Sequence, residues 1–190
     1  WLATWINRNL EKQIFIKSDT LITVSDELKR LFSKKIKTIE TKIEIVPNGF
    51  DTDDFAAASK IHHSTDFKYI SYVGTVSKEY NMDGLIRGIA RLPDPVKSRI
   101  RIRFIGKITG ELLEKMNQFG LGDLVESIGY VKHEEAIEYM CSSHILLLII
   151  PDVINNEGIL TGKLFEYLAA SRPILFLGPE KGDAAKIIAE

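Results

Sequence analysis

Apolar positions along the chain switch between two spacings, and the switching predicts the elements. Leu2, Ile6, Leu10 and Ile14 recur every four residues with Trp5 on the same side, so residues 1–17 read as an amphipathic helix. Residues 20–24 form a short β-branched run, and Ser25, followed by Leu28, Leu31 and Phe32, has the character of an N-cap opening a second helix. A second strand is predicted at 43–46, ended by Pro47-Asn48-Gly49. Residues 60–66 then turn polar, with His62, His63, Ser64 and Thr65, and are the expected linker or domain boundary. Beyond it, strand-like runs at 69–73, 102–105, 125–128, 145–150 and 173–177 alternate with helical patterns. The helical sets are Met82, Leu85, Ile86 and Ile89; Leu112, Leu113 and Met116; Ile137, Met140 and Cys141; and Leu164, Phe165 and Leu168. The chain ends at Glu190 inside a further helical pattern. Strands separated by helices imply a parallel sheet with right-handed crossovers, an α/β, Rossmann-like doubly wound fold whose ligand lies at the carboxyl ends of the strands.

Composition narrows the partners. The chain has 190 residues, 45% hydrophobic and 27% charged, which suits an ordinary globular protein. Its 25 basic and 26 acidic residues leave a net charge of −1, so no overall field favours nucleic acid, and any anion must be held locally. The single cysteine, Cys141, excludes an intramolecular disulfide framework and fits a cytoplasmic setting; its apolar helical neighbours make it a core residue. No Cys and His cluster has zinc-site spacing, so no metal site is expected. The apolar run 145–150 is far shorter than the roughly 20 residues that cross a bilayer. The amino terminus lacks signal-peptide features and begins without Met inside a helical pattern, from which we expect an excerpt of a longer protein.

Candidate chemistry gathers after the strands. Gly74, followed by Thr75, and Gly106, followed by Lys107, stand where strands end, and each reads either as a tight turn or as a place where a ligand approaches the backbone. Gly158 and Gly162 border a loop, and a helix starting near Gly162 would aim free N–H groups and its positive end at an anion such as a diphosphate. Lys163 would add a mobile positive charge there. Glu166, one turn in, carries an acceptor-only carboxylate suited to the vicinal hydroxyls of a ribose; Lys163 and Glu166 read equally well as an i,i+3 surface ion pair. The segment from Gly158 to Lys163 is too short for a P-loop, and no G-x-G-x-x-G follows a strand, which argues against a P-loop ATPase and an NAD dehydrogenase. None of the four histidines has a companion nucleophile or carboxylate at recognisable spacing. His144 is expected to begin a strand and His133 a helix.

Three stretches resemble the retaining GT-B glycosyltransferases of family four. They are residues 18–25 with 43–51; Tyr72-Val73-Gly74 through Asp83-Gly84-Leu85-Ile86; and Gly162-Lys163-Leu164-Phe165-Glu166-Tyr167-Leu168-Ala169 through Pro173. The resemblance implies that residues 1–60 are the tail of an acceptor domain with the interdomain connection. Residues 61–190 would then be a nucleotide-sugar-binding donor domain, truncated at its carboxyl end. It implies that Glu166 binds ribose hydroxyls, that Thr161, Gly162, Lys163 and Leu164 meet the diphosphate through the backbone, and that Tyr130 and Val131 lie along the base. The implied reaction moves a sugar from a UDP-, GDP- or ADP-linked donor to a saccharide or lipid-linked acceptor, with retention, without a bound metal and with no cofactor beyond the substrate. A role in polysaccharide biosynthesis and peripheral membrane association of the full-length protein follow from the same resemblance.

Two departures stand out. The arginine that many members carry directly after the first donor-domain glycine is Thr75 here, and the lysine five residues later is Tyr80, leaving Lys78 or Lys163 to replace them. The position eight before Glu166, a glutamate in the family pattern, is Gly158, with Glu157 beside it. The alternatives to a transferase are a nucleotide-sugar epimerase of the same fold and a degenerate, non-catalytic carbohydrate-associated domain. The 190 residues alone are expected to bind nucleotide without transferring sugar.

Overall fold

The computed structural model describes residues 2–35, 42–58 and 66–190. The predicted linker, 60–66 with His62 and His63, lies outside the described residues except for Asp66. Two compact units emerge. The first holds Trp1–Asn48, Glu157–Leu160 and Lys181–Glu190; the second holds Gly49–Asn156 and Thr161–Glu180.

In the first unit, helix α1 (Leu2–Lys17) is followed by strand β1 (Leu21–Thr23), helix α2 (Asp26–Lys35) and strand β2 (Ile43–Ile45), and helix α9 (Asp183–Ala189) closes the chain. β1 and β2 pair in parallel, Leu21 opposite Ile43. Ser25 caps α2 as expected: its Oγ accepts the Leu28 N–H at 3.3 Å and donates to the Gly158 carbonyl at 3.2 Å. Asp183 also serves α2, accepting the Glu27 N–H at 2.8 Å, an acid placed at the positive end of a helix. The helix at the amino terminus forms, but the predicted apolar stripe is not its buried side. Trp5 is 60% exposed, and Ile6, Leu10 and Ile14 are exposed with it. α1 turns Phe15 inward instead, where its ring centroid lies 5.4 Å from that of Phe32, beside Ile43 and Leu21. The small core of this unit takes Phe15 from the helix, and Ile6, Leu10 and Ile14 of the repeat lie outside it.

In the second unit, helix α3 (Thr52–Ala58) precedes strand β3 (Lys68–Val73), helices α4 (Asp83–Ala90) and α5 (Asp94–Lys97), strand β4 (Ile100–Ile105) and helix α6 (Gly110–Gln118). Strand β5 (Val125–Gly129), helix α7 (His133–Ser142), strand β6 (Ile145–Ile149), helix α8 (Gly162–Ala169) and strand β7 (Ile174–Leu177) complete it. α3 and α5 are too short to show a helical apolar repeat, and nothing in the hydrophobic pattern announces them. The sheet is parallel throughout, in the order β5-β4-β3-β6-β7. This is the doubly wound Rossmann-like sheet expected from the sequence. Runs such as Leu146, Leu147 and Leu148 are buried whichever way they point, as a sheet packed on both faces requires. Ile70, Tyr72, Ile102 and Phe104 from the strands meet Leu85, Ile86 and Ile89 of α4 and Met116 of α6 in one core cluster. α8 buries Leu164 and Tyr167, whereas Leu168, expected on its inner face, is 40% exposed. Cys141 is core, as expected.

Candidate functional site

The strand order reverses between β3 and β6, so the ligand crevice of such a sheet falls outside the carboxyl ends of these two strands. Glycines terminate the neighbouring strands there. Gly74 and Gly106 have φ of +124° and +125°, and Gly129, at the end of β5, has φ of +82°. The Gly74 N–H donates to the Ile105 carbonyl and the Gly106 N–H to the Gly129 carbonyl, each at 2.7 Å, stepping the sheet edge from strand to strand. A Cβ on Gly106 would stand 2.3 Å from the Gly74 carbonyl oxygen, so this glycine is required by the close passage of two backbones. A Cβ on Gly74 would stand 2.8 Å from the Lys163 Nζ. Gly74 therefore leaves room for a cation.

That cation arrives on α8. Tyr167, fully buried, accepts the Val73 N–H at 3.0 Å and docks α8 on the end of β3. Lys163, one turn earlier on the same face, donates to the Tyr72 hydroxyl at 2.9 Å and lies 4.1 Å from the centroid of its ring. The Tyr72 hydroxyl in turn donates to the Thr75 carbonyl at 3.2 Å. Burial lowers the Lys163 pKa to about 8, with Glu166 opposing the shift. Of the two sequence readings the Lys163–Glu166 surface pair is not formed, and Lys163 is held on Tyr72 rather than being a mobile charge. Tyr72 turns it inward.

α8 begins with Thr161 as its N-cap, in extended conformation, and the Thr161 side chain takes none of the helix N–H groups. Its Oγ1 is buried with no hydrogen-bond partner. Leu164 N–H is used by the Thr161 carbonyl, which leaves the Gly162 and Lys163 N–H groups as the free donors of the first turn. Leu164 itself contributes a fully buried side chain. Glu166 is half-buried on the following turn.

The other predicted residues occupy the same edge with different surroundings. Thr75 and Lys107 are exposed, and the Lys107 carbonyl accepts the Val76 N–H at 2.8 Å. Lys78 pairs with Glu111 at 2.9 Å in the open, beside a pocket of about 260 Å³ that also includes Tyr80 and Thr109. Tyr130 is 95% exposed directly after β5, and Val131 is half-buried. A separate pocket of about 480 Å³ lies at the ends of β6 and β7, lined by Asn81, Asp83, Asp152, Asn156 and Gly178 among others. None of the predicted residues lines it, and its carboxylates suit an anion poorly.

Sequence reading gave no role to Tyr72 and Tyr167, the groups that hold α8 and its Lys163. It also missed a partner for His133. The ring Nε2 lies 2.9 Å from Asp54 Oδ2, and the hydrogen bond to Asp54 raises the His133 pKa, with smaller help from Glu166. The two residues are far apart in the chain, so no local spacing reveals the pair. Gly158, in the first unit, packs closely on α2: a Cβ there would stand 3.1 Å from Leu28 Cγ, so any larger residue requires the Leu28 side chain to give way by a few tenths of an ångström. Among the described residues no group of three or more His, Cys, Asp or Glu is arranged to hold a metal ion, and no helix is long and apolar enough to cross a membrane.

Comparison with known proteins finds the same fold in solved glycosyltransferases. WaaG, a glycosyltransferase involved in lipopolysaccharide biosynthesis, superposes with a TM-score of 0.71 at 18% identity, covering 90% of this chain and 46% of WaaG. Anabaena Alr3699/HepE, solved with UDP and glucose, gives 0.70 at 13% identity over 96% of this chain and 50% of its own. Sucrose-phosphate synthase from Thermosynechococcus elongatus gives 0.68 at 16% over 92% and 45%. The chain thus spans about half the length of these proteins. A search of curated protein sequences finds no match. At the level of sequence families the glycosyl transferases group 1 match residues 54–171, which contain the glycine-ended strands, Lys163 and Glu166. With more than half of its length matched and its parallel sheet shared with solved glycosyltransferases, the chain belongs to the glycosyl transferases group 1 family.

Proposed function

We propose that the carboxyl edge of the sheet in the second unit binds the nucleotide diphosphate of a sugar donor, and that the longer protein transfers the sugar, with retention, to a saccharide or lipid-linked acceptor. One observation carries the reading: a lysine ammonium is held over Gly74 beside the uncapped amino terminus of α8. The free Gly162 and Lys163 N–H groups, the positive helix end and the Lys163 charge converge there, and the Thr161 hydroxyl offers one further donor. Such a cluster stabilises a departing nucleoside diphosphate as well as a bound one, because the negative charge grows at the leaving oxygen. Glu166, accepting only, would take the ribose hydroxyls from the next turn, and the open ring of Tyr130 would flank the base. Lys78 is a second source of charge, since an exposed pair such as Lys78–Glu111 costs little to break. The exposed Trp5, Ile6 and Leu10 of α1 support reading residues 1–60 as part of an acceptor domain, with 61–190 as the donor domain.

UDP heads the set of donors to test, because HepE was solved with UDP. The test is a panel of UDP, GDP and ADP against the chain and its Glu166→Ala variant, read by calorimetry. Binding of at least one nucleotide is expected, and the substitution should weaken it by about 1.5–3 kcal/mol, the worth of charge-assisted hydrogen bonds. Affinity unchanged in the variant would remove Glu166 from the site; no binding to any nucleotide would favour a degenerate domain.

A further inference from the structure

Lys163 is 91 residues away from Tyr72 in sequence, yet three separate contacts meet on that tyrosine. Its hydroxyl accepts from the Lys163 ammonium at 2.9 Å, the face of its ring lies 4.1 Å from the same nitrogen, and the hydroxyl proton goes to the Thr75 carbonyl at 3.2 Å. The ring is itself fixed: it is fully buried, packs against Phe104 with centroids 6.3 Å apart, and meets Tyr80 nearly edge-on at 6.2 Å. A free lysine has three donors and a flexible stem. Here one donor is taken, the side chain is half-buried, and the nitrogen rests against Gly74, which has no side chain to displace it.

We infer that Tyr72 is a positioning residue for anion binding: it anchors the Lys163 ammonium over Gly74 so that its two remaining N–H groups face a diphosphate. The inference rests on the proposed nucleotide site. The Thr75 carbonyl matters to the arrangement because it consumes the hydroxyl proton and so turns a lone pair of Tyr72 toward the ammonium. The titratable groups facing Lys163 are Tyr72 on β3, Tyr80 behind it and Glu166 on α8. Burial pushes Tyr72 well above the ordinary tyrosine value, so it stays a neutral hydroxyl throughout the range in which Lys163, at about 8, loses its proton. Anion affinity should therefore fall as pH rises through about 8, and the position of that fall reports how well the ammonium is held.

The test uses UDP and four proteins: the natural sequence, Tyr72→Phe, Lys163→Met and the double variant, with dissociation constants measured from pH 7 to 10, above the last ionisation of the diphosphate near 6. Tyr72→Phe keeps the ring and its packing and removes only the hydroxyl. It should weaken UDP about tenfold at pH 7.5, the effect of one hydrogen bond to a charged group, and move the pH midpoint lower. In the Lys163→Met background the same change should have no effect. A Tyr72→Phe affinity and midpoint equal to the natural protein's, or an equal loss in both backgrounds, overturns the inference while leaving the nucleotide site standing. If the natural protein binds no nucleotide diphosphate, the site and the inference fall together. Where Tyr72→Phe does not fold, a crystal structure of the natural protein with UDP decides: the Lys163 Nζ is expected within hydrogen-bond distance of both the Tyr72 hydroxyl and a phosphate oxygen, and an ammonium turned away from Tyr72 overturns the inference.

Discussion

Gly106 shows how little freedom the sheet edge has at the level of single residues. Its φ of +125° strains any L side chain, and a methyl group would press on the Gly74 carbonyl oxygen at 2.3 Å. Gly106→Ala should cost about 3 kcal/mol or more in chemical denaturation, since backbone strain of about 1–3 kcal/mol adds to a collision that only backbone movement relieves. A loss below about 1 kcal/mol would mean that the two strand ends are not packed as described. The same pair of glycines sets a limit on sequence reading. Their location after apolar runs was plain from the chain, but whether each served a turn or a ligand was open. The structure separates them: Gly106 accommodates backbone, Gly74 accommodates the ammonium of a residue far away in sequence. Tyr72 and Lys163 could not have been joined from the chain, because no local period links a strand residue to a helix residue 91 positions later.

At the level of elements, helix ends carry much of the argument. In the first unit Asp183 binds the Glu27 N–H and pairs with Lys186 at 2.8 Å. Burial pushes its pKa up, but the hydrogen bonds from Lys186, Glu27 and Ser25 outweigh this and leave it below the ordinary carboxylate value. The stability this provides is present above the unfolded value near 3.9 and is lost as pH falls through the lower folded value. Asp183→Asn should destabilise the protein by about 1–3 kcal/mol at pH 7 and flatten its acid unfolding profile, measured by denaturant midpoint against pH. An unchanged profile would show that Asp183 is not the anchor.

In the second unit, α3 meets α7 through Asp54 and His133. Here the folded pKa is raised, so the pair stabilises below the unfolded value near 6.5 and its contribution disappears as pH rises through the folded one. The pair is largely exposed, so its worth is about a few tenths of a kcal/mol, visible as faster amide exchange in α3 at pH 8 than at pH 6 after correction for intrinsic rates. His133→Gln should abolish that difference. Neither α3 nor its histidine contact was legible in advance, since the helix is only about two turns long and its partner lies across the polar stretch. α8, by contrast, was marked by Gly162 at its start and by Leu164 inside it, and only its inner face was misjudged, Tyr167 rather than Leu168.

For the whole molecule, the legible part is the alternation of buried strands and helices, which forces parallel pairing and crossovers of one hand and so places any ligand at the carboxyl edge. The five strands of the second unit all fall where apolar runs predict them. The first unit was less legible, because its core is one cluster around Phe15 and Ile43 and the obvious stripe of α1 stays outside it. Two places on the carboxyl edge compete for a ligand: the cationic seat made by Gly74, Gly162 and Lys163, and the pocket of about 480 Å³ lined by Asn81, Asp152 and Gly178. The charge of a diphosphate decides between them on physical grounds, and amide NMR decides by measurement. Titrating UDP into ¹⁵N-labelled protein should move the Gly74, Gly162 and Lys163 amide signals most, with Gly162 and Lys163 shifting downfield as their free N–H groups take the phosphate oxygens. Shifts confined to Asn81, Asp152 and Gly178, or no shift at saturating UDP, would contradict the nucleotide site at the start of α8.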